Sequence, residues 1–352
     1  MYREHTVGVV VPAYNEEGFI GDVIKEMPEY VDRVYVIDDA STDGTWTEIL
    51  AAATKDAESM ARPKSAEPTL VADGGAGLLS QRAMVRDPIG RVVPIQHREN
   101  RGAGGAIKTG YLAAMADAVD ITVTVDGDGQ MDVSLMSRLL DPIVDDQGDY
   151  AKGNRLLYKE YRSAMPKFRF VGNSILTFLT KIASGYWKTM DPQNGYTAIS
   201  KYALENAGIE DMYEYYGYCN DLLVKLNTKG MRVADVAMPA VYGEEASSIR
   251  YSTYIRKVSG MLLRNFLWRL KVKYLVLDFH PLALFYFFGA GTAVFGTLGG
   301  LWSLYAWQVL GDGLFVRASL SLLLFLIGSL FLMFAMLFDM QVNESREVQV
   351  RE

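Results

Sequence analysis

Short apolar runs alternate with segments of helical spacing over the first 250 residues. Val7–Val11, Val34–Ile37 and Ile121–Val125 are rich in β-branched residues, which is typical of buried parallel strands. A segment such as Glu17–Met27 has the spacing of a helix instead. Because strand and helix alternate, we predict an α/β domain over residues 1–250 with a Rossmann-like, mostly parallel sheet.

Residues 55–91 interrupt this alternation. They contain prolines and glycines with little periodicity, which indicates loops and turns. We predict an insertion that has room for a small hairpin and is not a separate domain. The sequence assigns no function to it.

An amphipathic pattern follows at residues 251–277. Apolar positions there are mixed with basic ones, namely Arg256, Lys257, Arg264, Arg269, Lys271 and Lys273. We predict helices that lie on a membrane surface with their basic side near anionic headgroups. A core helix with one solvated face is the alternative.

Two uncharged apolar runs come next, at residues 281–310 and 318–338. Each exceeds the roughly 20 residues that cross a bilayer, so residues 278–340 are predicted to form a transmembrane hairpin. The preceding basic residues put the α/β domain and both termini in the cytoplasm, with residues 341–352 as a tail. Glycines in the first run favour close helix packing, including association of protomers through the hairpin.

Composition excludes several classes. The net charge of -7 argues against a nucleic-acid partner. The single cysteine, Cys219, excludes an intramolecular disulfide and fits a reducing compartment. Three scattered histidines argue against a histidine-rich zinc site. Nothing at the start of the chain resembles a signal peptide, so we expect the N-terminal domain to stay in the cytoplasm.

Candidate chemistry stands where strands end. Pro12, Asp38-Asp39 and the Asp126–Gln130 segment each follow an apolar run, and ligands of parallel sheets bind at that edge. The carboxylates of Asp126 and Asp128 can hold Mg²⁺ or Mn²⁺ against a diphosphate. An acidic turn is the plain alternative, whereas a calcium loop is excluded because Met131 stands where such a loop needs glycine.

The glycine cluster at residues 102–109 opens a predicted helix. It is neither a P-loop nor a dinucleotide fingerprint, because Ile107 occupies a required glycine position in both patterns. Exposed amides at a helix start favour an anion. A role near the donor nucleotide or its phosphates and simple close packing are both open.

Four ordered motifs together resemble the family 2 glycosyltransferases, which have a GT-A fold. They are Val11-Pro12-Ala13-Tyr14-Asn15-Glu16, Ile37-Asp38-Asp39-Ala40-Ser41-Thr42-Asp43-Gly44-Thr45, Asn100-Arg101-Gly102-Ala103-Gly104-Gly105-Ala106 and Asp126-Gly127-Asp128-Gly129-Gln130. Within the family, the chain is similar to the branch of dolichyl-phosphate mannose synthase and other polyprenyl-phosphate glycosyltransferases. The likeness covers residues 6–260 except the insertion.

The resemblance implies a role for individual residues. Those expected to bind the donor are Pro12, Tyr14, Glu16, Ile37, Asp39, Arg101, Gly102, Asp126, Gly127, Asp128, Gln130, Arg250 and Arg256. The metal ligands would be Asp126, Asp128 and Gln130, and the acceptor phosphate would meet Arg155, Arg169 and Asn173. Asn173 departs from the small hydroxyl residue expected there. The catalytic set would be Asp128, Arg155 and Asp221.

Some of these residues have a second explanation. Asp221 also fits an ordinary charge at a helix start, and Arg256, with Lys257 beside it, also fits an interfacial lipid contact. The polar segment Asp191–Tyr196 is expected near the acceptor or sugar pocket, or is a structural turn.

The implied activity is the inverting transfer of one sugar to dolichyl or polyprenyl phosphate at the cytoplasmic membrane face. GDP-mannose is the favoured donor, and UDP-glucose or another UDP-sugar is the alternative. Because the acceptor phosphate is an anion at neutral pH, no strong base is needed. A processive synthase would need more spans and a Gln-x-x-Arg-Trp motif. A non-catalytic membrane scaffold is the alternative from another class.

Overall fold

A computed structural model describes residues 1–60, 76–158, 167–239 and 251–350, with the side chains of residues 76, 167–171 and 251–255 left out. Residues 1–263 and 345–352 form one compact unit, and residues 264–344 form another. In the described chain, the first unit holds one nine-stranded sheet. Its strands are β1 (Val7–Ala13), β2 (Arg33–Asp38), β3 (Ala83–Val85), β4 (Val92–His97), β5 (Ile121–Thr124), β6 (Tyr150–Asn154), β7 (Thr197–Ser200), β8 (Val233–Ala237) and β9 (Glu347–Val350).

The helices alternate with these strands as the sequence pattern predicts. They are α1 (Ile20–Lys25), α2 (Thr45–Ser59), α3 (Ala76–Arg82), α4 (Ala103–Ala116), α5 (Met136–Val144), α6 (Lys167–Ser184), α7 (Lys201–Asn206), α8 (Tyr218–Thr228), α9 (Tyr251–Lys271), α10 (Leu282–Leu310) and α11 (Phe315–Asn343). Single 3-10 turns at Val133–Leu135, Ile209–Asp211 and Glu344–Arg346 and a π-helical turn at Val272–Leu277 complete the described elements.

The strand order is β3-β4-β2-β1-β5-β7-β6-β8-β9. Strands β4, β2, β1 and β5 run parallel, as do β6, β8 and β9, whereas β3 and β7 are antiparallel to their neighbours. In register, Pro12 lies beside Ile37 and Val10 beside Thr124. The carboxyl ends of β1, β2 and β5 therefore meet at one edge, and the predicted α/β fold with a mostly parallel sheet is confirmed.

Apolar side chains cover both faces of the sheet. On β1, Val7, Val9 and Val11 join one core cluster, while Val10 joins the other, because side chains alternate across a strand. Helix α4 lies so close to the sheet that a Cβ on Gly110 would stand 3.0 Å from the Ile37 side chain. Within the glycine cluster, a Cβ on Gly104 would stand 2.7 Å from the Tyr213 carbonyl oxygen, so close packing explains part of the cluster.

The insertion is attached to the fold at its end. Strand β3 runs antiparallel to β4, and the buried Arg82 of α3 donates to the Glu214 carboxylate at 2.7 Å. Residues 61–75 lie outside the described chain.

The C-terminus differs from the predicted tail over residues 341–352. Helix α11 continues to Asn343, and Glu347–Val350 form β9 beside β8. The tail was therefore a wrong prediction at these positions. A four-residue strand at a sheet edge carries little sequence signal of its own, because its pairing partner is more than 100 residues away.

In the second unit, α10 and α11 are long and apolar enough to cross a membrane. The first predicted apolar run, residues 281–310, begins one residue before α10 and ends with it. The second, residues 318–338, lies inside α11. Glycines allow the two helices to approach closely, since a Cβ on Gly289 would stand 2.9 Å from the Leu332 nitrogen. Gly296 and Gly328 are likewise placed against the opposite backbone. These three glycines thus serve packing within the hairpin, and association of protomers stays a prediction.

Two of the predicted headgroup contacts are buried instead. Arg269 is 0% exposed and donates to both oxygens of Asp339, at 2.9 and 2.8 Å. The Lys273 ammonium donates to the Asn343 side-chain oxygen at 2.7 Å. A buried cation needs such partners, so the prediction of a basic side near anionic headgroups is wrong for these two residues. Arg256, Lys257, Arg264 and Lys271 are exposed.

Candidate functional site

A cavity opens at the carboxyl end of β5. It is lined by Asp126, Asp128, Gln130, Met131, Asp132, Leu135, Arg155, Asn194, Tyr196, Met238 and Pro239. Three carboxylates therefore share this cavity with one guanidinium. All three predicted metal ligands and the first predicted acceptor contact line it. The structure thus brings together Asp126 and Arg155, which follow β5 and β6 and are 29 positions apart.

The turn after β5 holds the carboxylates in place. A Cβ on Gly127 would stand 2.6 Å from the Pro12 carbonyl oxygen, so only glycine fits against the end of β1. Gly129 has φ +71°, a conformation that glycine adopts without strain. The backbone amide of Gln130 donates a hydrogen bond to the Asp128 carboxylate at 2.9 Å. The Asp-x-Asp spacing is thus part of a tight turn whose glycines are required by its geometry.

Electrostatics of this turn favour a cation. Burial and then the neighbouring Asp128 carboxylate raise the pKa of Asp126 to about 7, while Arg155 acts in the opposite direction. A divalent ion would relieve this repulsion. In the described chain no three His, Cys, Asp or Glu side chains come together as a metal cage. The two carboxylates of Asp126 and Asp128 are of the kind that fits a hard cation, and Mg²⁺ commonly takes its remaining ligands from a diphosphate.

Arg155 is held by a bidentate ion pair. Its Nε and Nη2 atoms donate to the two carboxylate oxygens of Asp191 at 2.7 and 3.0 Å. Burial by itself would raise the pKa of Asp191, but the Arg155 guanidinium holds it below its ordinary value. Asp191 is 0% exposed, whereas the Arg155 side chain is 28% exposed. The pair thus presents a fixed cation at the cavity wall.

The segment Asp191–Tyr196 borders the same cavity. A Cβ on Gly195 would stand 3.5 Å from both carboxylate oxygens of Asp126 and 3.2 Å from the Tyr218 hydroxyl. Asn194 and Tyr196 line the cavity directly. This segment is therefore beside the paired aspartates, and it also supplies the anchor of Arg155.

Asp39 holds a loop in this structure. Its carboxylate accepts hydrogen bonds from the backbone amides of Arg101 and Gly102, both at 2.8 Å. The His97 Nδ1 atom lies 2.6 Å from Asp39, and the His97 Nε2 atom lies 2.8 Å from the Thr109 hydroxyl. Asp39, which is 3% exposed, thus links the end of β2 to the start of α4.

The other predicted donor residues are spread around this edge. Tyr14 is 48% exposed, whereas Ile37 is 0% exposed and packs in the core, so its side chain does not face a ligand. The Glu16 amide donates to the Thr45 hydroxyl at 2.8 Å. The Arg101 side chain pairs with Glu99 at 2.8 Å. In the first motif, the side chains of Tyr14 and Asn15 are exposed.

Three further predicted residues that the structure describes, Asp221, Asn173 and Arg256, do not line the cavity. Asp221 is buried and accepts from the Tyr213 amide at 3.0 Å, so it supports the loop before α8. Asn173 lies partly exposed on α6, and Arg256 is exposed on α9. The side chain of Arg169 and all of Arg250 lie outside the described residues.

We expect His97→Phe to weaken donor binding, because Phe fills a similar volume but cannot hold Asp39. Loss of a hydrogen bond to a charged group costs on the order of 2 kcal/mol, which predicts a roughly 30-fold higher KM for the donor. The KM for the acceptor should stay near its original value. Titration with the free nucleotide checks the result, and His5→Phe, outside this network, is the control. An unchanged donor KM in the folded His97→Phe protein would contradict a role of the His97–Asp39 contact in donor binding.

Sequence reasoning missed several residues that build the site. Asp191 and Asn194 lie in a segment that the pattern singled out, but its polar composition does not say which side chain holds Arg155. His97 is the last residue of β4 and has no recognisable spacing to Asp39. Lys152 and Asn154, which lie on β6 just before Arg155, are buried and donate hydrogen bonds to Asp235.

Known proteins resemble this chain across the same region. The model of Glycosyl transferase family 2 matches residues 8–64 and 70–208. A UDP-N-acetylglucosamine--dolichyl-phosphate N-acetylglucosaminyltransferase of Methanococcus voltae is 28% identical over 237 residues, which cover 67% of this chain and 86% of that protein. An uncharacterised protein of Methanocaldococcus jannaschii is 28% identical over 241 residues, covering 68% and 83%.

Among solved structures, glucosyl-3-phosphoglycerate synthase of Mycobacterium tuberculosis with bound UDP has a TM-score of 0.48 and 20% identity, with 76% of this chain and 81% of that chain covered. The family match spans more than half of the chain and includes the turn of Asp126 and Asp128. The chain is a glycosyltransferase that belongs to Glycosyl transferase family 2.

Proposed function

We propose that the enzyme transfers one sugar from a nucleotide sugar to the phosphate of dolichyl or another polyprenyl phosphate, with inversion of the anomeric carbon. The observation that carries this proposal is the shared cavity of Asp126, Asp128 and Arg155. Such a cavity has an acidic side for a cation and the leaving diphosphate, and a basic side for an entering phosphate. A scaffold without activity has no need for this arrangement.

In the proposed reaction, a phosphate oxygen of the acceptor attacks the anomeric carbon. The new carbon–oxygen bond forms as the bond to the nucleoside diphosphate breaks, and the electron pair leaves with the diphosphate. Arg155, fixed by Asp191, orients the entering phosphate and compensates its charge. The acceptor oxygen already carries its negative charge at neutral pH, so no side chain has to remove a proton.

A divalent cation, Mg²⁺ or Mn²⁺, is part of this proposal. Asp126, Asp128 and Gln130 would hold it. When bound, it would stabilise the charge that develops on the leaving diphosphate. The raised pKa of Asp126 supports this assignment.

For the donor we propose a UDP-sugar, with UDP-N-acetylglucosamine first. The named activity of the Methanococcus voltae relative supports this choice, and nothing comparable supports the GDP-mannose that the sequence motifs favour. UDP-glucose and GDP-mannose are the other members of the donor panel.

For location we propose an integral membrane protein with two spans and a cytoplasmic catalytic domain. The chain leaves the first compact unit at residue 263 and returns to it at residue 345, after two apolar helices. Two crossings would return the chain to the side on which it began, which would leave both termini in the cytoplasm. A lipid-bound acceptor gives such an anchor a purpose.

The full chain, purified in lipid nanodiscs, provides the test. Each radiolabelled donor is incubated with a polyprenyl phosphate, and the lipid product is separated by chromatography. We expect one sugar per lipid, with transfer lost in EDTA and restored by Mn²⁺. If every donor gives only hydrolysis or no reaction, the proposed function is contradicted. A polymeric product would indicate a processive synthase.

A further inference from the structure

The chain beyond the second apolar helix contributes a buried carboxylate to the catalytic unit. Glu347 on β9 is 9% exposed. Its two oxygens accept hydrogen bonds from three consecutive backbone amides, those of Trp187, Lys188 and Thr189, at 2.7, 2.8 and 2.7 Å. The Thr189 hydroxyl adds a fourth bond at 2.9 Å. One side chain therefore accepts hydrogen bonds from three consecutive backbone amides.

This turn leads directly into the site. Met190 is held next, because its amide donates to Asp235 at 3.2 Å and its carbonyl accepts from the Lys152 ammonium at 2.5 Å. The next residue is Asp191, which has φ +47° and pairs with Arg155. A non-glycine residue in this conformation is strained and needs support from its surroundings. Glu347 and Asp235 supply that support at residues 187–190.

We propose that Glu347 is a positioning residue for the acceptor phosphate, so that the segment after the membrane hairpin completes the acceptor side of the site. This inference rests on the proposed function, since it takes Arg155 as the contact of the acceptor phosphate. The hairpin then has a second consequence besides anchoring: the strand that follows it fixes Asp191, and Asp191 fixes Arg155.

Strand pairing supports a specific placement of Glu347. Strand β9 runs parallel to β8, with Glu347 beside Val233 and Gln349 beside Asp235. The Gln349 side chain donates to the Lys188 carbonyl at 3.2 Å. The strand is therefore attached both to the sheet and to the turn, and a small change at Glu347 can loosen the turn while β9 remains paired.

The test compares Glu347→Gln with Glu344→Gln in the full chain. Both changes remove one negative charge from the same C-terminal segment, but Glu344 is exposed. Glu347→Gln replaces an acceptor oxygen with an amide NH₂ that faces backbone donors. We expect its KM for polyprenyl phosphate to rise about tenfold, because small displacements of a positioned group cost rate steeply. The KM for the donor should not change, and Glu344→Gln should behave as wild type.

Two further measurements separate positioning from a general loss of structure. Thr189→Val removes only the hydroxyl bond to Glu347, and we expect a roughly threefold higher KM for the acceptor. Hydrogen exchange at residues 187–189 should be faster in Glu347→Gln and unchanged in Glu344→Gln. An acceptor KM that is equal in the folded Glu347→Gln and Glu344→Gln proteins would overturn the proposal.

Direct binding of farnesyl phosphate distinguishes this inference from the proposed function. If the wild type binds it and Glu347→Gln binds it about tenfold more weakly, Glu347 positions a phosphate site even if no sugar is transferred. If the wild type transfers sugar and both variants bind farnesyl phosphate equally, the inference fails while the proposed function stands.

Discussion

Asp126→Asn is expected to abolish sugar transfer and, without divalent cations, to stabilise the fold at pH 8. Transfer should fall by at least about 1,000-fold, because the cation loses a ligand and its charge partner. The stability gain follows from the pKa of about 7, which burial and Asp128 impose on this carboxyl. Ionised Asp126 destabilises the folded state, and asparagine removes that charge.

The pH dependence has a definite sign. The folded protein binds the Asp126 proton more tightly than the unfolded chain does, since the pKa rises from 3.8 to about 7. This carboxyl therefore lowers the free energy of unfolding as pH increases from about 4 to 7, and the effect is complete above pH 7. In EDTA, Asp126→Asn should raise the melting temperature by roughly 2–5 °C at pH 8 and by less at pH 5.

Thermal unfolding in EDTA and calorimetric titration with Mn²⁺ measure the two effects separately. Wild-type affinity for Mn²⁺ should fall as pH decreases below 7, because protonation of Asp126 competes with the cation. Asp22→Asn removes an exposed acid on α1 and should change neither property. An Asp126→Asn protein that still transfers sugar, or that is less stable than wild type in EDTA at pH 8, would refute the cation site.

Arg155→Lys is expected to lower kcat/KM for the acceptor by on the order of 100-fold. The guanidinium of Arg155 binds both oxygens of Asp191 and still lines the cavity. Lysine keeps the charge but lacks the planar fork, so it cannot hold Asp191 and a phosphate in the same geometry. The donor KM should change much less than the acceptor KM.

Steady-state kinetics with each substrate varied in turn tests this expectation. Arg232→Lys is a matched control, because Arg232 pairs with Asp146 at the surface outside the cavity. Arg155→Gln adds a second readout, since Arg155 lowers the pKa of Asp126. Without the Arg155 guanidinium, Mn²⁺ binding should begin to weaken at a higher pH than in the wild type. Full activity of Arg155→Lys would contradict the assignment of the acceptor phosphate.

Local patterns were sufficient for the sheet and its charged edge. Each predicted strand contains a continuous apolar run, and burial on both faces requires such runs in a parallel sheet. Pro12, Asp39 and the Asp126–Gln130 turn come directly after three of these strands, so adjacent pairing of β1, β2 and β5 brings them to one edge. The apolar hairpin was equally readable, because length and absence of charge define it.

The contacts of the charged side chains could not be predicted from the sequence in the same way. Asp39 looks like a ligand-binding acid from its motif, yet its carboxylate holds the loop of Arg101 and Gly102. Arg269 looks like a headgroup contact from its amphipathic segment, yet it is buried against Asp339, which is 70 positions away. The residue type is the same whether the charged side chain faces solvent, a ligand or a counter-ion. Only the surrounding fold decides between these contacts.

By itself the sequence determined the α/β class, the two apolar helices and the paired aspartates, because periodicity and turn chemistry act between neighbouring residues. Tertiary structure alone decided that Asp191 anchors Arg155 and that Glu347 supports the turn before Asp191. These contacts join residues 36 and about 160 positions apart. Hydrogen bonds of this kind form between residues that are close in space. Residues this far apart in the sequence come close only when the chain folds, so no local sequence pattern shows them as partners.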